Sequence, residues 1–227
     1  IDSSITTAGN LILDGDSDNV ADSDGSISLA SGVSLVASAG SITLDATTGG
    51  ISAAGAISLS ATTGITINNT FTSAGTTTFD ADTDNDGAGD LTLAAFSTGN
   101  NALSITAADL ILNSTLSSGT AGTTILASKS TDTIGLGTTT GDMILSTTEL
   151  ASITAGSLTI GDGTNGNITV NGVASTDSDQ FGALTLNATA SGSSVIFGIS
   201  DSTFQGLTVN AENGITLSSN LTTNGAT

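Results

Sequence analysis

The sequence predicts an all-β fold, a parallel β-helix (β-solenoid) of about ten coils, and three observations predict it. A short strand unit recurs along the whole chain. The apolar residues are nearly all small aliphatics. No segment of ten or more residues combines helical periodicity with a proper cap.

The repeat organises everything else. Three copies stand 15 residues apart, at Gly25–Leu29, Gly40–Leu44 and Gly55–Leu59. Looser copies follow at Gly64–Ile67, Asp90–Leu93, Gly156–Ile160 and Asn167–Val170, then at Gly182–Leu186, Gly206–Val209 and Gly214–Leu217. Each unit reads apolar–Ser/Thr–apolar after a turn residue. Alternation with a period of two sends Ile and Leu to one face and the hydroxyls to the other. Gly supplies the positive φ that a tight corner needs. Strands of roughly 3–5 residues are marginal as isolated hairpins, and gain stability when each coil pairs with the next. A coil of about 20–24 residues over three sides gives about ten coils. At a strand spacing of ~4.8 Å that is a rod of roughly 50 Å. Residues 1–227 are expected to form one solenoid segment, read as a mature or excised piece of something longer.

Composition agrees. The 227 residues include six Phe and one Met but no Trp, Tyr, Pro or Cys, so apolar volume comes from Ile, Leu, Val and Ala. That suits a thin core of stacked layers better than a wide one. The six rings, Phe71, Phe79, Phe96, Phe181, Phe197 and Phe204, are expected as core fillers or end plugs. Low complexity and high net charge also fit a disordered chain, but the persistent strand pattern and the lack of Pro argue against it.

Charge limits the partners. One Lys against 21 acidic residues gives a formal charge of −20. Nucleic acid is excluded, because phosphate neutralisation needs Lys and Arg, and anionic membrane surfaces fall with it. No apolar run approaches the ~18 residues that span a bilayer. An excess of carboxylates points to cations, most simply Ca²⁺.

The sharpest local motif is Asp82-Thr83-Asp84-Asn85-Asp86-Gly87-Ala88-Gly89-Asp90, preceded by Asp80. Carboxylates at alternate positions, then Gly, then Asp match the start of a calcium loop, although Leu93 stands where such a loop has its Glu. Asp14, Asp16, Asp18 and Asp22 repeat the spacing with Asn19 in place of Gly. Both sets are candidate Ca²⁺ ligands, and both also read as solvated acidic loops. Asp177 and Asp179 read as loop decoration, and Lys129 as a solvent-facing side chain. Asn68, Asn69, Asn171, Asn187 and Asn210 follow strand units and suit corner ladders or ordinary turns. Five Asn-x-Ser/Thr sequons occur, about as many as chance gives for 16 Asn in a chain with 74 Ser plus Thr, so glycosylation is not signalled.

Catalysis is not expected. Without His there is no imidazole base near neutrality, and without Cys no thiolate. Two carboxylates suffice for glycoside hydrolysis, but the Trp and Tyr that usually line sugar clefts are absent.

The glycine-led units, with intervening Ala61-Thr62-Thr63-Gly64 and Asn171-Gly172 turns, resemble the repeat region of filamentous-haemagglutinin-like, two-partner-secretion bacterial adhesins. The resemblance covers essentially the whole chain through repeat style and composition. It implies a right-handed parallel β-helix, export to the bacterial cell surface and a role as an extended fibre. That family's N-terminal secretion domain, with its Asn-Pro motifs, has no counterpart here. The leading expectation is therefore a structural or adhesive shaft. Its partners are neighbouring copies or flanking repeats stacked end to end, and a glycan or protein receptor. A calcium-dependent surface-layer lattice protein is the alternative, and a polysaccharide-active β-helix enzyme a remoter one.

Overall fold

Where the sequence alternates, the chain is extended and one face of it is buried. In Ile42–Asp45, Ile42 and Leu44 are fully buried while Thr43 and Asp45 are partly exposed. Such strands wind in three-sided coils around one core. The computed structural model describes residues 1–18, 20, 25–47 and 49–225.

The first coil is β1 (Ile5–Thr7), β2 (Leu11–Asp14) and β3 (Ile27–Leu29). The second and third are β4 (Ser34–Ala37), β5 (Ile42–Asp45), β6 (Ile51–Ala53) and β7 (Ile57–Ala61), β8 (Ile65–Ile67), β9 (Phe71–Ser73). The fourth and fifth are β10 (Thr77–Asp80), β11 (Leu91–Leu93), β12 (Phe96–Ser97) and β13 (Leu103–Ala107), β14 (Leu110–Leu112), β15 (Leu116–Ser117). After β16 (Gly122–Ala127) the pattern loosens into β17 (Ile134–Gly137), β18 (Met143–Leu145), helix α1 (Thr147–Ser152) and the long β19 (Ile153–Ile160). Then follow β20 (Ile168–Asn171), helix α2 (Ser175–Ser178), β21 (Phe181–Ala188), β22 (Val195–Phe197) and β23 (Ser202–Phe204). The last described coil is β24 (Gly206–Ala211), β25 (Ile215–Leu217) and β26 (Leu221–Thr223).

All pairings among the described residues are parallel, so each strand lies on its equivalent one coil away. The first sheet stacks β1, β4, β7, β10, β13, β16, β19, β21 and β24. The second side stacks β2, β5, β8, β11 and β14, then β18, β17, β20, β22 and β25. Nine layers on one side and ten on another agree with the parallel β-helix of about ten coils. With eight steps of ~4.8 Å the first sheet is about 40 Å long.

The 15-residue spacing is not the coil period. Ile27 pairs with Ile51, Ile42 with Ile65 and Ile57 with Thr77, which are steps of 24, 23 and 20 residues. The three matched copies form β3, β5 and β7, on three different sides. Fifteen residues is about two sides of a coil, so every copy lands one side short of a full turn.

The core is a set of inward columns. In the first sheet Ile5, Leu35, Leu59, Phe79, Ile105, Ile125, Ile160, Leu186 and Val209 follow one another in register. From Leu35 to Leu186 every member is fully buried. Each such side chain contributes about 1.5–3 kcal/mol by leaving water. All six Phe are buried, and Phe96 meets Phe71 and Phe79 edge-on at 5.2 and 5.0 Å.

The same strands carry two outward ranks. Ser34, Ser58, Thr78, Ser104, Thr124, Thr159, Thr185 and Thr208 put a hydroxyl on each layer from β4 to β24, and Ser58 Oγ donates to Ser34 Oγ at 2.9 Å. Two residues earlier, Gly32, Ala56, Thr76, Ala102, Gly122, Ser157, Ala183 and Gly206 form a rank of small side chains.

One coil departs from the rule. From Gly122 to its partner Ser157 takes 35 residues, because an extra strand, β18, and a helix are inserted. β17 and β18 are consecutive yet parallel, Ile134 against Met143, so the chain steps back and slots β18 beside β14. The ladder breaks there: Ile144 N–H donates to the Asp109 carboxylate at 2.9 Å. Helix α1 starts on a capping box, with Glu149 N–H donating to Ser146 Oγ and Ser146 N–H to Glu149 Oε2. No described helix is long and apolar enough to cross a membrane.

Candidate functional site: an acidic corner

The corner that leads from the first sheet to the second varies in length, and that variation builds the site. After β13 it is tight: Ala108 and Asp109 suffice before Leu110. The corners after β10 and β16 are longer and close over this short one. Ser128 Oγ, two coils from Asp82, donates to Asp82 Oδ2 at 2.6 Å.

Asp82 is fully buried in that arch. Its Oδ2 also accepts from Gly87 N–H at 2.8 Å, and its Oδ1 from Asp86 N–H at 3.4 Å. The loop can curl this tightly because Gly87 sits at φ +86° and Asn85 at φ +55°. A Cβ on Gly87 would stand 3.0 Å from Lys129 Cδ and 3.6 Å from both Lys129 Nζ and Asp132 Oδ2. The sole lysine is exposed, as expected, yet it lies against the acidic loop.

Carboxylate oxygens of Asp82, Asp84 and Asp86 lie within 4.8 Å of one another. Burial pushes the Asp82 carboxyl up, but Ser128, the Gly87 amide and Asp84 more than offset it, holding Asp82 below the ordinary range. Asp84, sharing a hydrogen bond with Asp82, is held above it. Burial raises Asp132, helped by Asp142 and opposed by Lys129. Three carboxylates this close repel unless a proton or a cation stands between them.

The remaining candidates scatter. Asp80 ends β10 outside this triplet. Burial raises its carboxyl, and its Oδ1 has no hydrogen-bond partner. Asp90 is exposed, also lies outside the triplet, and its carbonyl accepts from Ile65 N–H. Asp14 Oδ1 accepts from Asp16 N–H at 3.0 Å and Asp18 Oδ1 from Val20 N–H at 3.2 Å, as local turns do. Asp16 is buried, and Gly25 has no Cβ because one would overlap the Asp16 side chain. Among the described residues Asp14, Asp16 and Asp18 do not form a second triplet. Asp22 lies outside the described residues.

Asparagines do link coils, mostly to unlike partners. Asn210 Nδ2 donates to Asn187 Oδ1 at 2.8 Å, a true ladder step. Asn68 instead donates to Asp45, and Asn171 to Thr138. Asn68, Asn69, Asn113 and neighbouring hydroxyls line a groove of about 390 Å³ at the next corner. Sequence reasoning missed Ser128, whose distance of 46 residues from Asp82 no local motif reveals. It also missed the helix α1, although Ser146-Thr147-Thr148-Glu149 is a readable capping signal.

The fold and this corner define the class: a parallel β-helix with one strongly acidic edge. No family model, curated protein or solved structure matches the chain.

Proposed function

We propose that the chain is a shaft segment of an extracellular bacterial fibre or large surface adhesin, related in style to the filamentous-haemagglutinin-like repeats. The supporting observation is the unbroken inward column of the first sheet, which makes a stiff rod from units that are each too small to fold. Nothing in the residue set argues for turnover, because the sequence has no His, Cys or Arg. The proposed partners are flanking repeats or neighbouring copies stacked end to end, which would continue the same parallel ladder, together with a glycan or protein receptor.

In this reading the acidic corner takes Ca²⁺ through Asp82, Asp84 and Asp86, and calcium stiffens the arch between coils. Thermal unfolding with CaCl2 and then with chelator tests it: the midpoint rises with calcium in the native chain and stays fixed in Asp84→Asn/Asp86→Asn. An unchanged native midpoint removes the calcium site.

The triplet also favours a second reading, a calcium-dependent surface-layer lattice. Electron microscopy of the native assembly, labelled with antibody to this segment, decides between the two. Labelled fibres that persist in chelator support the shaft; ordered sheets that dissolve in chelator replace it with the lattice.

A further inference from the structure

Among the described residues, the acidic side chains are not spread evenly around the rod. From β4 to β24, leaving aside Asp80 at the end of β10 and the β1 layer with Asp2 before it, the first sheet and the corner that enters it comprise residues 30–37, 54–61, 74–79, 98–107, 118–127, 155–160, 180–188 and 205–211. None of these carries an ionisable side chain. The opposite edge of the same sheet runs into the acidic corners at Asp80–Asp90, Asp109, Asp132, Asp162 and Glu212. In a chain of net charge −20, the outer face of this side from β4 to β24 therefore carries a single carboxylate, Asp80 at its acidic edge.

From this we infer that the outer face of the first sheet is a self-association surface, through which two copies of the rod pack side by side. Charge selects the geometry. Two copies meeting by any acidic corner bring clusters of carboxylates together, whereas this side brings only Asp80, at its edge. Periodicity selects the partner. The hydroxyl rank repeats at the strand spacing on each layer from β4 to β24, and a second rod carries the same repeat, so contacts stay in step along that length. Ser and Thr hydroxyls both donate and accept, so the rank can bond to its own copy across a two-fold axis. The neighbouring small rank leaves shallow grooves of about 310 and 200 Å³ beside it, which let the backbones approach. From β4 to β24, seven steps of ~4.8 Å, a face about 34 Å long and six residues, or about 20 Å, wide offers roughly 700 Å² per copy. That is close to the ~800 Å² per partner of a standard stable interface.

The inference stands apart from the shaft reading, since a strictly monomeric rod still serves as a shaft. Sedimentation equilibrium of the 227-residue chain tests it, at low salt and at about 1 M NaCl, where charges are screened beyond ~3 Å. The expected result is a dimer that tightens with salt. Ser104→Asp/Thr124→Asp, with circular dichroism confirming the fold, weakens it at least tenfold, while Asn113→Asp on another corner leaves it unchanged. The chain has no cysteine, so Ser104→Cys, on the middle strand of the nine, is expected to cross-link on oxidation and Asn113→Cys to stay monomeric. A monomer at every salt concentration overturns the proposal. So does a dimer indifferent to the aspartates, or a monomer that instead binds a neutral polysaccharide on this face.

Discussion

Phe79 and Asp82 lie three residues apart in one coil, and both are fully buried. Phe79 sits in the inner column, touching Phe96 edge-on, with Leu59 and Ile105 above and below. Asp82 sits in the corner arch, held by Ser128, Gly87 and Asp86. Burial at the first place is favourable in itself, because apolar surface leaves water. At the second it is tolerated only while every hydrogen bond is made. Columns are thus set by shape and corners by partners.

The largest test of that contrast is Phe79→Ala, expected to cost about 3–5 kcal/mol in urea unfolding, with Phe79→Leu below about 1.5 kcal/mol. Equal losses for the two would mean the column is loosely packed. Next comes Asp82→Ala, which strands the Ser128 hydroxyl and the Gly87 amide and is expected to cost about 1–3 kcal/mol. Asp82→Asn, which keeps the shape, should cost visibly less.

Acid sharpens the contrast further. Asp80 and Asp109, raised by burial, and Asp132, raised by burial and Asp142, bind protons more readily folded than unfolded. Stability therefore climbs as pH falls from neutrality toward the ordinary carboxylate range. Asp82 is held low by its hydrogen bonds, Asp142 by Thr133 and Asp201 by Asn220. Their contribution is present above that range and is lost as pH falls through their own lower values. Melting midpoints against pH should pass through a mildly acidic maximum; Asp80→Asn flattens the climb and Asp82→Asn the fall. The smallest effect is Asn210→Ala, which removes one exposed inter-coil hydrogen bond and is expected to cost about 0.5 kcal/mol by the same unfolding assay.

Alternation made the strands legible, since Ile and Leu two residues apart cannot both face solvent cheaply. Register was not legible. The matched copies at Gly25, Gly40 and Gly55 invite stacking on one another, but coil length is set by corner lengths that vary independently of the strand units. The calcium-like motif at Asp82–Asp90 was legible as a loop. Its attachment to Ser128 and Lys129 depends on the short corner at Ala108–Asp109 lying between, a fact of three dimensions. The backward step of β18 has no sequence signature that we can identify.

The ladder bonds of this molecule point along its long axis, so tension applied between its ends loads them one layer at a time. A rod so built peels instead of shearing. Since successive coils hold between 20 and 35 residues, each release would free about 70 to 120 Å of slack. Extension under force would then be a staircase with unequal treads, the longest being the coil that contains the inserted strand and helix.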